Sequence, residues 1–252
     1  MENTQTQSKF AVTIRKNATM IIGGFFVLAA ILYSYLQHGT TTEAVLAAAL
    51  RQSTPLVLGA LCGLIGERSG IINIGIEGQM LMAAFLSFLV GATTNSIVVG
   101  IVVGLLTGAL LGLLLAFMSI ALKVDADTVG VNVFRIQYIN TVIAGAIGGL
   151  AGAFLTLEAV GSFERAMTNG RGFVALAVMI FGKWTPLGSW GAALLFGLAT
   201  AMQTQLQFAG TIDIPHQFIG MIPYLLTIAV LAGFVGRSRP PAAEGKPYEK
   251  EG

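Results

Sequence analysis

Eight stretches of this chain are apolar for about the length a lipid bilayer demands of a helix: 18–36, 44–66, 71–92, 97–122, 141–160, 171–185, 187–206 and 215–236. That pattern dictates the fold class. The bilayer core offers no water to an unpaired N–H or C=O, so a spanning segment must satisfy its own backbone, as an α-helix does. The runs are continuous rather than alternating every second residue, which argues against a β-barrel. Only 10% of the 252 residues are charged and 55% are hydrophobic, against about 25% charged in soluble domains. The expected architecture is an all-α polytopic transmembrane helical bundle, with some segments broken or re-entrant.

Two segments depart from a plain crossing. The stretch 171–185 would reach only about 22 Å as a helix, so a re-entrant half-helix and a full crossing both stay open. The stretch 44–66 carries Arg51, Gln52 and Pro55, and an interruption is expected there. The apolar run 18–36 is long for a signal core and lacks a small-residue cleavage pattern, which favours an uncleaved first span.

Orientation follows from the basic residues. With residues 1–17 in the cytoplasm and eight crossings, the inside regions hold Lys9, Arg15, Lys16, Arg68, Lys123, Arg135, Lys183, Arg237, Arg239, Lys246 and Lys250, 11 of the 14 Lys and Arg. Arg165 and Arg171 fall outside, and Arg51 lies within a span. The positive-inside rule supports this arrangement. Both termini are then cytoplasmic, with 18–236 as the permeation domain and 237–252 as a tail rich in proline and charge.

Glu77 stands where hydrocarbon should forbid it, in the sequence Gly70-Ile-Ile-Asn-Ile-Gly-Ile-Glu-Gly-Gln-Met80. A carboxylate at bilayer depth costs about 2.5–3.5 kcal/mol on insertion scales, so it is kept where it faces a bundle interior, a partner or a water-filled path. Gly70, Gly75 and Gly78, with Asn73 among them, weaken the helix at the same place. This reads as a broken helix beside a transport route, with Asn73, Glu77, Gly78 and Gln79 as its candidate residues. The rival is a carboxylate near an interface or a helix end. Glu158 ends the fifth run beside Gly161 and Ser162 and reads as an outer-surface residue, while Arg51 is read as snorkelling or capping.

Several chemistries are absent. No G-x-x-x-x-G-K-[ST] occurs: Gly182-Lys183 is followed by Trp184 and Gly245-Lys246 by Pro247. ATP hydrolysis is therefore expected in a partner chain rather than here. Cys62 is the single cysteine, and His38 and His216 lie far apart, so neither a metal site nor a cofactor is expected. Gly100, Gly104, Gly108 and Gly112 recur every fourth residue on one helix stripe, and Gly145 with Gly149, and Gly148 with Gly152, repeat the device. Such stripes let backbones approach closely, within the chain or across a subunit interface. The segment 123–140 reads as a cytoplasmic loop. Its Val131, Phe134 and Tyr138 could lie along the membrane, or it could dock a soluble partner.

Taken together, Thr54–Gly70 (Thr-Pro-Leu-Val-Leu-Gly-Ala-Leu-Cys-Gly-Leu-Ile-Gly-Glu-Arg-Ser-Gly) and Ile71–Met80 resemble permeases of ABC importers of the branched-chain amino acid and sugar group. Gly170–Gly188 and the tail Gly233–Tyr248 resemble most the permeases that work with basic-membrane-protein-type lipoproteins, many of which import nucleosides. The resemblance covers about 54–248. It implies a multi-pass cell-membrane subunit paired with a second permease, a cytoplasmic ABC ATPase and an extracytoplasmic substrate-binding lipoprotein. It implies alternating access driven by ATP binding and hydrolysis. It places Asn73, Glu77, Gly78 and Gln79 near the route, and Asp127, Thr128, Gly130, Asn132 and Arg135 at the end of the loop that presses on the ATPase.

One departure stands out. Members of that group carry more sequence between the counterparts of Lys123-Val124-Asp125 and Ala126-Asp127-Thr128, and here the two joints abut. About two spans and the first half of the ATPase-contacting loop are missing, which preserves the orientation of everything downstream and weakens the expected coupling. The expected function is the permease subunit of an ABC importer, for nucleosides. The alternatives are the same machinery for a simple sugar or branched-chain amino acid, a gradient-driven carrier, or a non-transporting truncated membrane protein.

Overall fold

The computed structural model describes residues 35–36, 39–121, 133–209, 216–221, 225 and 241. The helices are α1 (Gly39–Arg68), α2 (Ile76–Thr94), α3 (Ile97–Ala116), α4 (Val133–Phe154), α5 (Arg171–Phe181), α6 (Pro186–Ala209) and the short α7 (His216–Gly220). Wide π turns extend α3 over Phe117–Ala121 and α4 over Leu155–Val160. No strand occurs among the described residues. Residues 1–17, nearly all of 18–36, most of 215–236 and nearly all of 237–252 lie outside the described residues, as do Asp127, Thr128, Gly130 and Asn132.

Among the described residues, four helices are long and apolar enough to cross a membrane: Gly39–Arg68, Ile76–Thr94, Ile97–Ile120 and Arg135–Val160. The expected span at 187–206 does form a helix of 24 residues, α6, but it is not among the four. Thr200, Gln203, Thr204, Gln205 and Gln207 dilute its apolar character.

Three sequence expectations need correction. First, α1 runs unbroken for 30 residues through Pro55. Proline deletes the donor to the Arg51 carbonyl, and the Ser53 and Thr54 hydroxyls, which both donate to the Leu50 carbonyl at 2.9 Å, do not replace it. Packing holds the helix through this point. Leu56, Ala60 and Leu64 sit in one core with Val178, Met179, Trp184, Ala193 and Phe196. Second, the glycine-rich break does not interrupt a span. It is the connector 69–75 between α1 and α2, and α2 starts only at Ile76. Third, the loop expected over 123–140 is already helix from Val133, continuous with the span. Tyr138 packs against a core of Ile71, Ala116 and Ile120 rather than forming a separate surface helix.

The glycine stripes are used within the chain. Antiparallel α3 and α4 touch backbone to backbone. A Cβ on Gly108 would fall 2.1 Å from the Gly145 carbonyl oxygen, and one on Gly149 would fall 2.2 Å from that of Gly104. Gly112 stands in the same relation to the Thr141 carbonyl at 2.6 Å, and Gly100 meets the Ser87 carbonyl at 2.9 Å. Gly152 admits the Met80 carbonyl of α2 at 2.1 Å. Without a hydrophobic drive between helices in lipid, contact of this closeness is what holds them together. Opposite the stripe, Ile101, Leu106, Leu110 and Leu113 of α3 are exposed, as a lipid-facing side would be. Arg51 and Glu158, read separately above, form one ion pair at 3.4 Å with both side chains about half exposed.

Gly108→Ala should therefore lower stability by about 1–3 kcal/mol through forced separation of α3 and α4. The control Gly191→Ala has open space for its methyl and should leave stability unchanged. Thermal unfolding of the two variants in detergent checks this.

Candidate functional site

α1 ends in a closed turn. The Ile71 amide donates to the Gly66 carbonyl at 3.0 Å, and Gly70 takes φ of 86°, where a side chain would be strained. The chain then turns back along α1, irregular over 71–73 and in a turn at 74–75. Ile76 reaches the would-be Cβ positions of Gly59 and Gly63, so α2 begins roughly 8–14 Å back from the end of α1, at 1.5 Å per residue. This is membrane depth for a helix as apolar as α1.

Asn73 and Gln79 pin the connector from inside. Asn73 Oδ1 accepts from the Gly75 amide at 3.0 Å, and Asn73 Nδ2 donates to Gln79 Oε1 at 2.9 Å. Cys62 Sγ lies 3.7 Å from the Asn73 amide nitrogen and 3.8 Å from Gln79 Oε1. All three are buried, and Gly148 of α4 leaves them room, since its Cβ would lie 3.2 Å from the sulfur. These polar groups satisfy one another rather than facing a ligand.

Glu77 does something else. Its Oε1 accepts from the Gly170 amide at 2.8 Å and its Oε2 from the Gly172 amide at 2.6 Å. The carboxylate thus caps the N-terminus of α5 while lying in the first turn of α2. Two helix N-termini, each with unpaired amides and a partial positive charge, share one anion. The geometry requires both glycines. Gly170 has φ of 79°, and a Cβ on Gly172 would fall 2.6 Å from the Glu77 Cα and N. The sequence reason for a charge in an apolar run is therefore a second helix that must start inside the membrane.

α5 has 11 residues, about 16 Å, roughly half a bilayer core. It runs parallel to α1, with Ala175 against Gly59 and Met179 against Gly63. Its other end is clasped too. The Trp184 indole donates to the buried Glu67 carboxylate, and Arg68 donates to the Trp184 carbonyl at 2.6 Å. Lys183 and Trp184 both take positive φ, 55° and 53°, a strained turn that these contacts hold. At the first end, Arg171 donates to the Met167 carbonyl at 2.9 Å and to Gln52 Oε1 at 3.2 Å, within the electrostatic reach of Glu77.

The structure thus brings Asn73, Glu77 and Gln79 together around the start of α2, with Glu77 turned to α5 and the other two turned inward. Gly78 is exposed with nothing near its Cβ position. Of the candidate ATPase-contacting residues, only Arg135 is described, in the first turn of α4. Sequence reasoning missed Arg171, Gln52, Glu67 and Trp184. Its one available signal was Gly170-Arg171-Gly172, a charge between glycines at the head of a segment too short to cross. No group of His, Cys, Asp and Glu fit to hold a metal occurs among the described residues.

The branched-chain amino acid transport system / permease component family matches residues 45–126 and 125–231, two pieces that meet where the two joints abut. The Guanosine ABC transporter permease protein NupQ of Bacillus subtilis is 43% identical over 130 residues, 50% of this chain and 40% of that one. The Nucleoside ABC transporter permease protein NupC of Lactococcus lactis is 41% identical over 126 residues, again 50% and 40%. The chain thus spans about 40% of the length of these two relatives. The Putative glucose ABC transporter permease protein TsgC13 of Haloferax volcanii is 26% identical over 300 residues, 76% of this chain and 91% of that one. That alignment is longer than the 252-residue chain, so it opens gaps on this side. No solved structure matches.

Glu77→Ala should bare the α5 N-terminus. Hydrogen exchange at Gly170 and Gly172 should rise about tenfold or more, since charged hydrogen bonds contribute about 1.5–3 kcal/mol. Glu77→Gln, keeping one acceptor, should fall between. Unchanged exchange in both variants would contradict the cap.

Proposed function

The chain belongs to the branched-chain amino acid transport system / permease component family, and from that premise we propose that it is the membrane permease subunit of an ATP-driven importer of nucleosides. The observation that carries the substrate class is the pair of relatives at 43% and 41% identity, both named for nucleosides. The partners on this reading are a second permease, a cytoplasmic ABC ATPase and an extracytoplasmic binding lipoprotein. Both termini lie in the cytoplasm, and Asp127, Thr128, Gly130, Asn132 and Arg135 contact the ATPase.

The geometry gives this reading a physical part. A half-helix clamped at both ends, by Glu77 at its start and by Glu67 and Arg68 beyond its end, moves with α1 and α2 as one body. Alternating access needs such bodies, because a ligand or ATPase shifts populations only between discrete packed arrangements. Releasing one clamp lets α5 lag the others, so the route opens incompletely. A glucose importer is the second reading, favoured by the relative that aligns over 76% of this chain.

Uptake of labelled guanosine into vesicles holding the chain with its ATPase and second permease tests the function. Competition by unlabelled nucleosides and none by glucose is the expected result; the reverse would move the assignment to sugars. At equal expression, Glu77→Ala should lower uptake about tenfold or more. With the ATPase-contacting loop shortened at Val124–Asp127, substrate should stimulate ATP hydrolysis only weakly. Full stimulation would show the shortening to be harmless.

A further inference from the structure

The turn that leads into α5 holds a reactive dipeptide that neither the helix packing nor the transport reading uses. Asn169 precedes Gly170, the one Asn-Gly step in the chain. Such a step can modify itself, because glycine lacks the Cβ that would screen its nitrogen from the preceding side chain. Asn169 is exposed, next to exposed Glu164, Arg165 and Ala166, so water reaches it. Its side-chain amide bonds no described residue. The backbone is strained here: φ is 42° at Asn169 and 58° at Ala166. The turn is drawn tight by the Asn169 amide, which donates to the Ala166 carbonyl at 2.9 Å, and by the Arg171 amide, which donates to that of Thr168 at 2.8 Å. Nothing lies within 4 Å of the place where Gly170 would carry a Cβ.

One contact opposes the reaction. The Gly170 amide donates to Glu77 Oε1 at 2.8 Å. Attack requires that nitrogen to shed its proton. A carboxylate beside it holds the proton and disfavours the nitrogen anion.

We propose that Asn169 is a site of spontaneous deamidation that Glu77 holds shut. Once released, the Gly170 nitrogen bonds the Asn169 side-chain carbonyl carbon. The side-chain carbon–nitrogen bond breaks, and the departing nitrogen takes the Gly170 proton away as ammonia. Water then opens the resulting succinimide ring at either carbonyl, giving aspartate or isoaspartate. Nothing is oxidised or reduced, and water is the only co-reactant. Either product adds a carboxylate to the turn just ahead of the amides that Glu77 caps. Isoaspartate also lengthens the main chain there by a methylene. The change runs one way, so Glu77 guards the covalent integrity of the α5 head as well as its amides, whatever the cargo.

Mass spectrometry of the full chain in proteoliposomes tests this. After incubation in mildly alkaline oxygen-18 water, each new deamidation carries the heavy oxygen. Asn95-Ser96 is the control. Asn95 is also exposed, with φ of 51°, but the Ser96 amide donates to the Gly91 carbonyl at 3.0 Å rather than to Glu77. Glu77→Ala should speed labelling at Asn169 about tenfold or more, because a charged hydrogen bond is lost, and leave Asn95 unchanged. Glu77→Gln, which keeps the side chain's size, should fall between. No gain at Asn169 in either variant overturns the proposal. An equal gain at Asn169 and Asn95 shows general loosening and overturns it too.

Discussion

A carboxylate shared by two helix N-termini is the interaction on which this arrangement depends. α5 begins after a turn whose Thr168 carbonyl takes the Arg171 amide at 2.8 Å, which leaves the Gly170 and Gly172 amides in need of an acceptor. Glu77 supplies both oxygens to them, at 2.8 and 2.6 Å. It can do so only because α2 begins back along α1, beside Gly59 and Gly63, which the connector 69–75 makes possible. The connector, in turn, is held by the Asn73–Gln79 bond and the turn closed by Gly66 and Ile71. Remove the carboxylate and the reason for each neighbouring irregularity goes with it.

Around that junction the chain is held by closeness rather than by hydrophobic bulk. Gly104, Gly108 and Gly112 meet Gly145, Gly149 and Thr141 through backbone atoms, and Gly172 meets the Glu77 backbone in the same way. These contacts tolerate almost no added volume, so the bundle behaves as rigid bodies joined at a few breaks. That mechanical character suits a permease, whose work is to exchange two packed arrangements.

The fold class was legible because bilayer physics leaves a chain of apolar runs little choice. The glycine stripes were legible because a spacing of four is a geometric statement about a helix. Glu77 was legible as an anomaly but not as a cap, because its partners, Gly170 and Gly172, lie more than 90 residues away. Pro55 misled: its breaking tendency was visible, whereas the packing of Leu56 and Ala60 that holds the helix through it was a tertiary fact. Asn73 and Gln79 were selected for polarity at depth, and only packing shows that they face inward to each other. The abutting joint at Val124–Asp127 was legible as a departure from a pattern, and the family match breaks at the same place.

The central claim is the contact between Glu77 and the head of α5, and solid-state NMR in lipid bilayers reads it directly. With carbon-13 in glutamate and nitrogen-15 in glycine, the Glu77 side-chain carboxyl carbon should correlate with the amide nitrogens of both Gly170 and Gly172. A Glu77 carboxyl that correlates with neither amide, and exchanges with water instead, would contradict the account.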